Sequence, residues 1–136
     1  MRTPIVYING LFWTIDKANI SVFDRGFTYG DGLFETMRVY SGKIFRLEYH
    51  LDRLFQSALS IFIELPITQN EIRTAIYATI KLNGLSNSIV RLTVTRGEQG
   101  SGINVDYSSP PTVVIFVKPV KVISKKTYKK GIGIKL

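Results

Sequence analysis

Residues 25–58 read RGFTYGDGLFETMRVYSGKIFRLEYHLDRLFQSA. After a Gly-Asp-Gly turn, Leu33, Glu35, Met37 and Val39 alternate with Phe34, Thr36, Arg38 and Tyr40. Strict alternation sends the two sets to opposite faces of a strand. Ser41-Gly42 turns the chain into a second strand over 43–46. From Glu48 to about Phe62, Leu51, Leu54, Phe55, Ala58, Leu59 and Phe62 recur at helical spacing. The stretch therefore predicts a hairpin followed by an amphipathic helix, with Arg38 on the strand and Arg53 on the helix. Two cations so close on ordered elements call for an anion, and they are expected to border one hollow.

Working outward, Tyr7-Ile8-Asn9-Gly10-Leu11-Phe12 predicts another hairpin, because Asn-Gly accepts the two positive φ angles of a type I′ turn. Pro66 ends the first helix or its exit loop. Thr68-Gln69-Asn70-Glu71 is a capping box, and the helix it opens carries Ile72, Ala75, Ile76, Thr79 and Ile80 inward and stops at Asn83-Gly84. Residues 88–95 alternate again. A loop rich in Gly, Ser and Pro (97–111) leads to a strand at 112–117 apolar enough to be central. Hairpins and helices without a repeating βαβ order predict an α+β fold, a mixed, mostly antiparallel sheet with two helices packed on it. We expect residues 1–118 to form this domain and 119–130 a linker. Residues 131–136 alternate without a partner and are expected to begin a domain the chain does not contain.

A chain of 136 residues, 45% of them apolar, can bury one core. No apolar run approaches a membrane span, and MRTPIVYING carries no targeting pattern. Zero cysteines exclude disulfides and thiolate metal sites, and fit a cytoplasmic protein. With a single histidine they also argue against a transition-metal centre. The net charge of +8 is concentrated in the tail, where seven Lys and no acid follow from Lys118. The other residues carry 11 basic against 10 acidic side chains, so the basicity is not a patterned nucleic-acid face.

Arg38 shares its strand face with Phe34 and Thr36, a mixture suited to a pocket wall. Arg91 stands in phase with Thr93 and Thr95 on another strand. Arginine is the residue for bidentate recognition of carboxylate or phosphate. Three such residues point to a small ligand with more than one anionic group. Taken singly, each has a plainer reading: Arg53 could pair with Asp52 or Glu48, Arg38 could be an outward surface charge, and His50 could be structural. Glu35, among apolar neighbours, needs a buried partner.

The motifs YINGLFW, DRGFTYGDGLFETMRVYSGK, HLDRL and VRLTVTRG together resemble the N-terminal domain of the class IV (fold type IV) pyridoxal-phosphate enzymes. These comprise branched-chain aminotransferases, D-amino-acid aminotransferases and aminodeoxychorismate lyases. The resemblance implies that Arg53 holds the phosphate of pyridoxal 5′-phosphate, and that Phe34, Thr36, Arg38 and Arg91 line the substrate pocket. It further implies a homodimer in which Tyr29 is a substrate-pocket tyrosine donated by the neighbouring subunit and the loop at 100–103 crosses the interface. It places the lysine that anchors the cofactor beyond Leu136, so this polypeptide alone is expected to be inactive.

Within the family, the pattern of Phe34, Glu35, Arg38, Tyr40 and Arg91 is most similar to branched-chain aminotransferases, which exchange an amino group between an amino acid and a 2-oxo acid. The aromatic residue usual two positions before that Arg is replaced by Ile89. The Arg-x-His pair of the D-amino-acid enzymes is absent from the loop after TRG, which reads Gly97-Glu98-Gln99-Gly100-Ser101-Gly102. A lyase releasing pyruvate from aminodeoxychorismate stays open as the alternative, as does a non-catalytic basic fragment.

Overall fold

The computed structural model describes residues 3–100, 102–121 and 124–134. Two tight turns set its frame. Asn9 and Gly10, at φ +46° and +90°, join β1 (Ile5–Ile8) to β2 (Leu11–Thr14). Ser41 and Gly42, at +47° and +81°, join β3 (Gly32–Tyr40) to β4 (Lys43–Ile44). Paired positive φ angles match the right-handed twist of the strands they connect. With β5 (Ser88–Thr95) and β6 (Thr112–Pro119) these strands form one sheet in the order β2-β1-β6-β5-β3-β4. Every ladder in it is antiparallel, so the fold is α+β without the parallel pairs that a mixed sheet would contain.

Helices α2 (Leu47–Ser60) and α3 (Gln69–Asn83) cover a single face of this sheet. Leu51, Leu54 and Ala58 of α2 and Ile72, Ile76 and Ile80 of α3 meet Met37, Val39, Val90, Leu92 and Ile115. Helix α2 lies over β3, and α3 lies over β1 and β6. The capping box forms as expected: Thr68 Oγ1 accepts from Glu71 N, while the Glu71 carboxylate accepts from Thr68 N. Gly84 at φ +66° closes α3. Asn83 pins that end to β1, exchanging two hydrogen bonds of 2.9 Å with the Ile5 backbone. Strand β6 runs between β1 and β5, the central place its apolar sequence predicts.

Five local features differ from the sequence expectation. Helix α2 stops at Ser60 and Phe62 takes φ +57°; Leu59, on the outer face of the helix, and Phe62, past its end, are exposed rather than inward. Just past that end, the Arg96 guanidinium donates to the carbonyls of Ile61 and Phe62 and holds the chain in its turn. Strand β4 covers two residues, because Arg46 adopts a left-handed conformation to start α2. A short α1 (Arg25–Thr28) precedes β3, with Asp24 capping it. Within the expected linker, Ser124 caps a further helix, α4 (Lys125–Lys130), whose closing lysines suit the negative end of its dipole. Residues 131–134 lie in no strand, and 135–136 lie outside the described residues.

Core and rim of α2 should separate on mutation. Leu51→Ala removes a fully buried side chain and is expected to lower stability by about 2 to 5 kcal/mol. Leu59→Ala, at an exposed site, should change it by less than about 0.5 kcal/mol in the same urea titration.

Candidate functional site

Strand β3 builds the site by parity. Glu35 points to the helix-covered face and is buried. A carboxylate there must be paired. Arg53 of α2 forks onto it, Nε to Oε1 at 2.6 Å and Nη2 to Oε2 at 2.5 Å. His50, one turn earlier, places Nδ1 2.7 Å from Oε2. The buried partner that Glu35 requires is thus supplied twice over, and His50 is structural. The arginine pairs with neither Asp52 nor Glu48: Asp52 accepts from Gln69, and Glu48 holds Arg73. Burial acts to raise the Glu35 pKa, but the hydrogen bonds from Arg53 and His50 outweigh it and hold the carboxyl below its usual value. The same bond raises the pKa of Arg53. The Arg53 side chain stays half exposed, and its Nη1 has no partner among the described residues.

Phe34, Thr36 and Arg38 stand on the opposite face, which neither helix covers. Cross-strand register sets Thr36 against Arg91 and Phe34 against Thr93. Arg91 reaches back over β3: its guanidinium lies 3.2 Å from the centroid of the Phe34 ring, and Nη1 donates to Thr36 Oγ1 at 3.1 Å. Arg38 turns away from this cluster. Its guanidinium packs on Tyr40 at 4.5 Å and donates to the carbonyls of Val39 and Ser88. Tyr29 closes α1 and stacks with Arg25 at 4.6 Å.

The single hollow expected between Arg53 and the Phe34–Thr36–Arg38 face is therefore not found. The two lie on opposite sides of β3, because Glu35 has the wrong parity to share the open face and it carries Arg53 with it. What they share is an edge. Strand β4 pairs only with Val39 and Tyr40, so no described strand pairs with Gly32–Met37 along the side away from β5. A cavity of about 610 Å³ lies elsewhere, between Tyr7, Phe12, Pro66, Ala75 and Pro111. Among the described residues no group of His and acidic side chains could hold a metal ion, and no helix is long and apolar enough to cross a membrane.

A second polar centre, not foreseen from the sequence, locks the start of β3. Asp31 receives both Arg96 (Nε at 2.7 Å, Nη2 at 3.0 Å) and Arg25 (Nε at 3.1 Å). Both arginines are buried. Asp24, also buried, accepts from Gly26 N and from the hydroxyls of Thr95 and Thr112. Arg25 Nη1 further reaches the carbonyls of Gly102 and Asn104, tying down the loop after β5, in which Ser101 lies outside the described residues. The signal lay in the paired triplets Asp24-Arg25-Gly26 and Thr95-Arg96-Gly97. Both glycines are sterically required. A Cβ on Gly26 would sit 2.2 Å from Thr95 Cγ2, and one on Gly97, at φ +89°, 2.0 Å from the Pro110 carbonyl oxygen.

The profile of the family described as "Amino-transferase class IV" matches residues 32–135. The chain belongs to this family. It is 39% identical over 115 residues to a protein named "Putative branched-chain-amino-acid aminotransferase" from Methanocaldococcus jannaschii, covering 85% of this chain and 40% of that protein. It is 35% identical over 129 residues to the aminodeoxychorismate lyase of Bacillus subtilis, covering 93% and 44%. Among solved structures it superposes on the branched-chain aminotransferase of Thermoproteus uzoniensis with norvaline at TM-score 0.80, with 26% identity, covering 88% of this chain and 42% of that one. The chain thus spans about two fifths of the length of the curated relatives it matches. Class IV aminotransferases depend on pyridoxal phosphate, and a further branched-chain aminotransferase of the same fold is known with pyridoxamine 5′-phosphate.

The Asp31 fork makes stability pH-dependent. Hydrogen bonding from Arg96 holds the Asp31 pKa below its usual value. The interaction is therefore present above the unfolded carboxylate pKa and is lost as pH falls through the depressed folded value. Asp31→Asn is expected to cost about 3 to 5 kcal/mol at pH 7, because two buried guanidinium groups lose their anion. Urea titrations should find that gap closing below about pH 4; a gap that stays constant down to pH 2 contradicts the assignment.

Proposed function

We propose that this chain supplies the N-terminal wall of a pyridoxal-phosphate site in a transaminase that exchanges an amino group between an L-amino acid and a 2-oxo acid, with branched-chain substrates preferred. The observation that carries the proposal is the arrangement around the free edge of β3. One side offers a half-exposed arginine with an unpartnered Nη1, and the other an arginine stacked on Phe34 and bonded to Thr36. A cofactor placed along that edge can rest its phosphate against Arg53 and present its reactive end to Phe34, Thr36 and Arg91.

The donor set fits such a group in part. Arg53 Nη1 can donate to a phosphate oxygen while the other edge of the guanidinium stays on Glu35. One arginine does not satisfy a phosphate dianion, so further donors must come from outside the described residues. When bound, pyridoxal phosphate supplies the aldehyde carbon that takes up the amino group and a ring that withdraws electrons from the reacting carbon. The work of this chain is recognition. Arg91 suits a substrate carboxylate, and Phe34 shields an apolar side chain from water. Arg38, already bonded to two carbonyls, serves best by shaping the far end of the strand. The reading also takes the anchoring lysine to lie outside these 136 residues, and Tyr29 and the loop after β5 to face a second copy of the protein.

A lyase acting on aminodeoxychorismate is the second reading, favoured by the Bacillus subtilis relative, whose match extends over 93% of this chain. The discriminating experiment feeds the complete protein pyridoxal phosphate with leucine, isoleucine or valine and 2-oxoglutarate, or with aminodeoxychorismate. Glutamate and a branched 2-oxo acid are the expected products; 4-aminobenzoate and pyruvate would transfer the assignment to the lyase.

Arg91→Ala should raise KM for the amino acid roughly 10- to 100-fold, the effect of losing one charge-assisted contact, with a smaller change in kcat. An unchanged KM contradicts the role given to Arg91.

A further inference from the structure

We propose that Glu35 is a positioning residue for the phosphate-binding arginine: its buried carboxylate, held by His50, aims the Arg53 guanidinium so that Nη1 faces the free edge of β3. The inference rests on the cofactor reading above and adds to it a role for a residue that never touches the cofactor.

The geometry of the fork carries the argument. A guanidinium has five N–H donors in a rigid plane. Glu35 takes the single Nε donor at 2.6 Å and one Nη2 donor at 2.5 Å, which fixes the plane of the group in two directions. His50 Nδ1 stands 3.4 Å from Nη2 and 2.7 Å from Oε2, so the carboxylate itself is held from a second side. The Tyr49 ring, 5.5 Å from the guanidinium carbon, supports it from the helix surface. Both Nη1 donors are left without a partner among the described residues.

A solvent-exposed arginine on a helix normally samples many rotamers, and ordering them opposes anion binding. Here that ordering is already done. Nor does packing account for the carboxylate. Leu33, Met37 and Val39 fill the same face of β3, and a buried ion pair is a weak source of stability compared with an apolar side chain of similar volume. What a carboxylate at position 35 provides, and an apolar residue does not, is direction. It also makes β3 a common reference. Phe34 and Thr36 point one way and Glu35 the other, so the substrate wall and the arginine are referenced to three consecutive residues of one strand.

The opposite effect, in which Glu35 competes with phosphate for Arg53, is separable from positioning by experiment. In the complete protein, pyridoxal 5′-phosphate and its dephosphorylated counterpart pyridoxal are titrated by cofactor absorbance against wild type, R53A, E35Q, E35D and the double variant R53A/E35Q. The dissociation constant of pyridoxal divided by that of pyridoxal 5′-phosphate reads the phosphate contact alone. The expected result is a drop in that ratio of about tenfold or more for R53A and for E35Q, with no further drop in the double variant. If R53A lowers the ratio while E35Q and E35D leave it unchanged or raise it, the positioning role is overturned and the phosphate role of Arg53 stands. If R53A leaves the ratio unchanged, the reading of Arg53 fails and the positioning role with it. Should E35Q not fold, E35D decides, since it keeps the charge but shifts the fork. The Arg53 Nε–H resonance of the wild-type protein, recorded before cofactor is added, gives the same answer without a variant. A slowly exchanging signal is expected, and a fast-exchanging one overturns the proposal.

Discussion

A carboxylate almost wholly removed from water has to find its donors inside the protein, and at Glu35 those donors come from one helix. Arg53 and His50, one turn apart on α2, converge on the two oxygens. This fixes the rotation of α2 over β3 more narrowly than apolar contacts could, because apolar packing tolerates repacking whereas an unpaired buried carboxylate is strongly penalised. It also fixes the parity of the strand. A slip of one residue would turn Glu35 outward and drive Phe34, Thr36 and Arg38 into the helices. The open face exists with its present chemistry because Glu35 occupies the other one.

The Asp31 centre does at the start of β3 what Glu35 does in its middle. Two buried arginines from separate parts of the chain, Arg25 before the strand and Arg96 after β5, share one carboxylate. Through them α1, the end of α2 and the loop after β5 are held to one corner of the sheet. Tyr29 and the exposed Ile103 are carried on this corner, so the segments proposed to meet a second copy are tied to the strand proposed to line the site. The fold therefore uses ionic links at the edge proposed to meet the cofactor and a mainly apolar core beneath the rest of the sheet.

Much of this could be read from the sequence, and the reasons for success and failure differ by residue. Turns were legible because Asn9-Gly10 and Ser41-Gly42 are local signals with a single conformational solution. The capping box at Thr68–Glu71 and the stop at Gly84 are local in the same sense. The two faces of β3 followed from alternation alone. The end of α2 was not legible: Leu59 and Phe62 keep helical spacing, but the chain turns at Phe62, where Arg96, 34 residues further on, takes the carbonyl. The partner of Arg53 was hidden for the same reason. Asp52 and Glu48 are nearer in sequence, whereas Glu35, 18 residues away, is nearer in space. Family motifs pointed to Arg53, Phe34, Thr36, Arg38, Arg91 and Tyr29 as a group, and alternation already implied that Glu35 stood apart from the pocket face. That Glu35 would draw Arg53 to its own side could be seen only once helix and strand were docked.

The account turns on whether one guanidinium can serve a buried carboxylate and a phosphate together, across the edge of a strand. A structure of the complete protein with pyridoxal phosphate bound tests this most directly. The account predicts a phosphate oxygen within hydrogen-bond distance of Arg53 Nη1 while Nε and Nη2 remain on Glu35, with the pyridine ring lying along Phe34–Met37 toward Arg91. A phosphate bound away from Arg53, or an Arg53 that leaves Glu35 to reach it, would contradict the account.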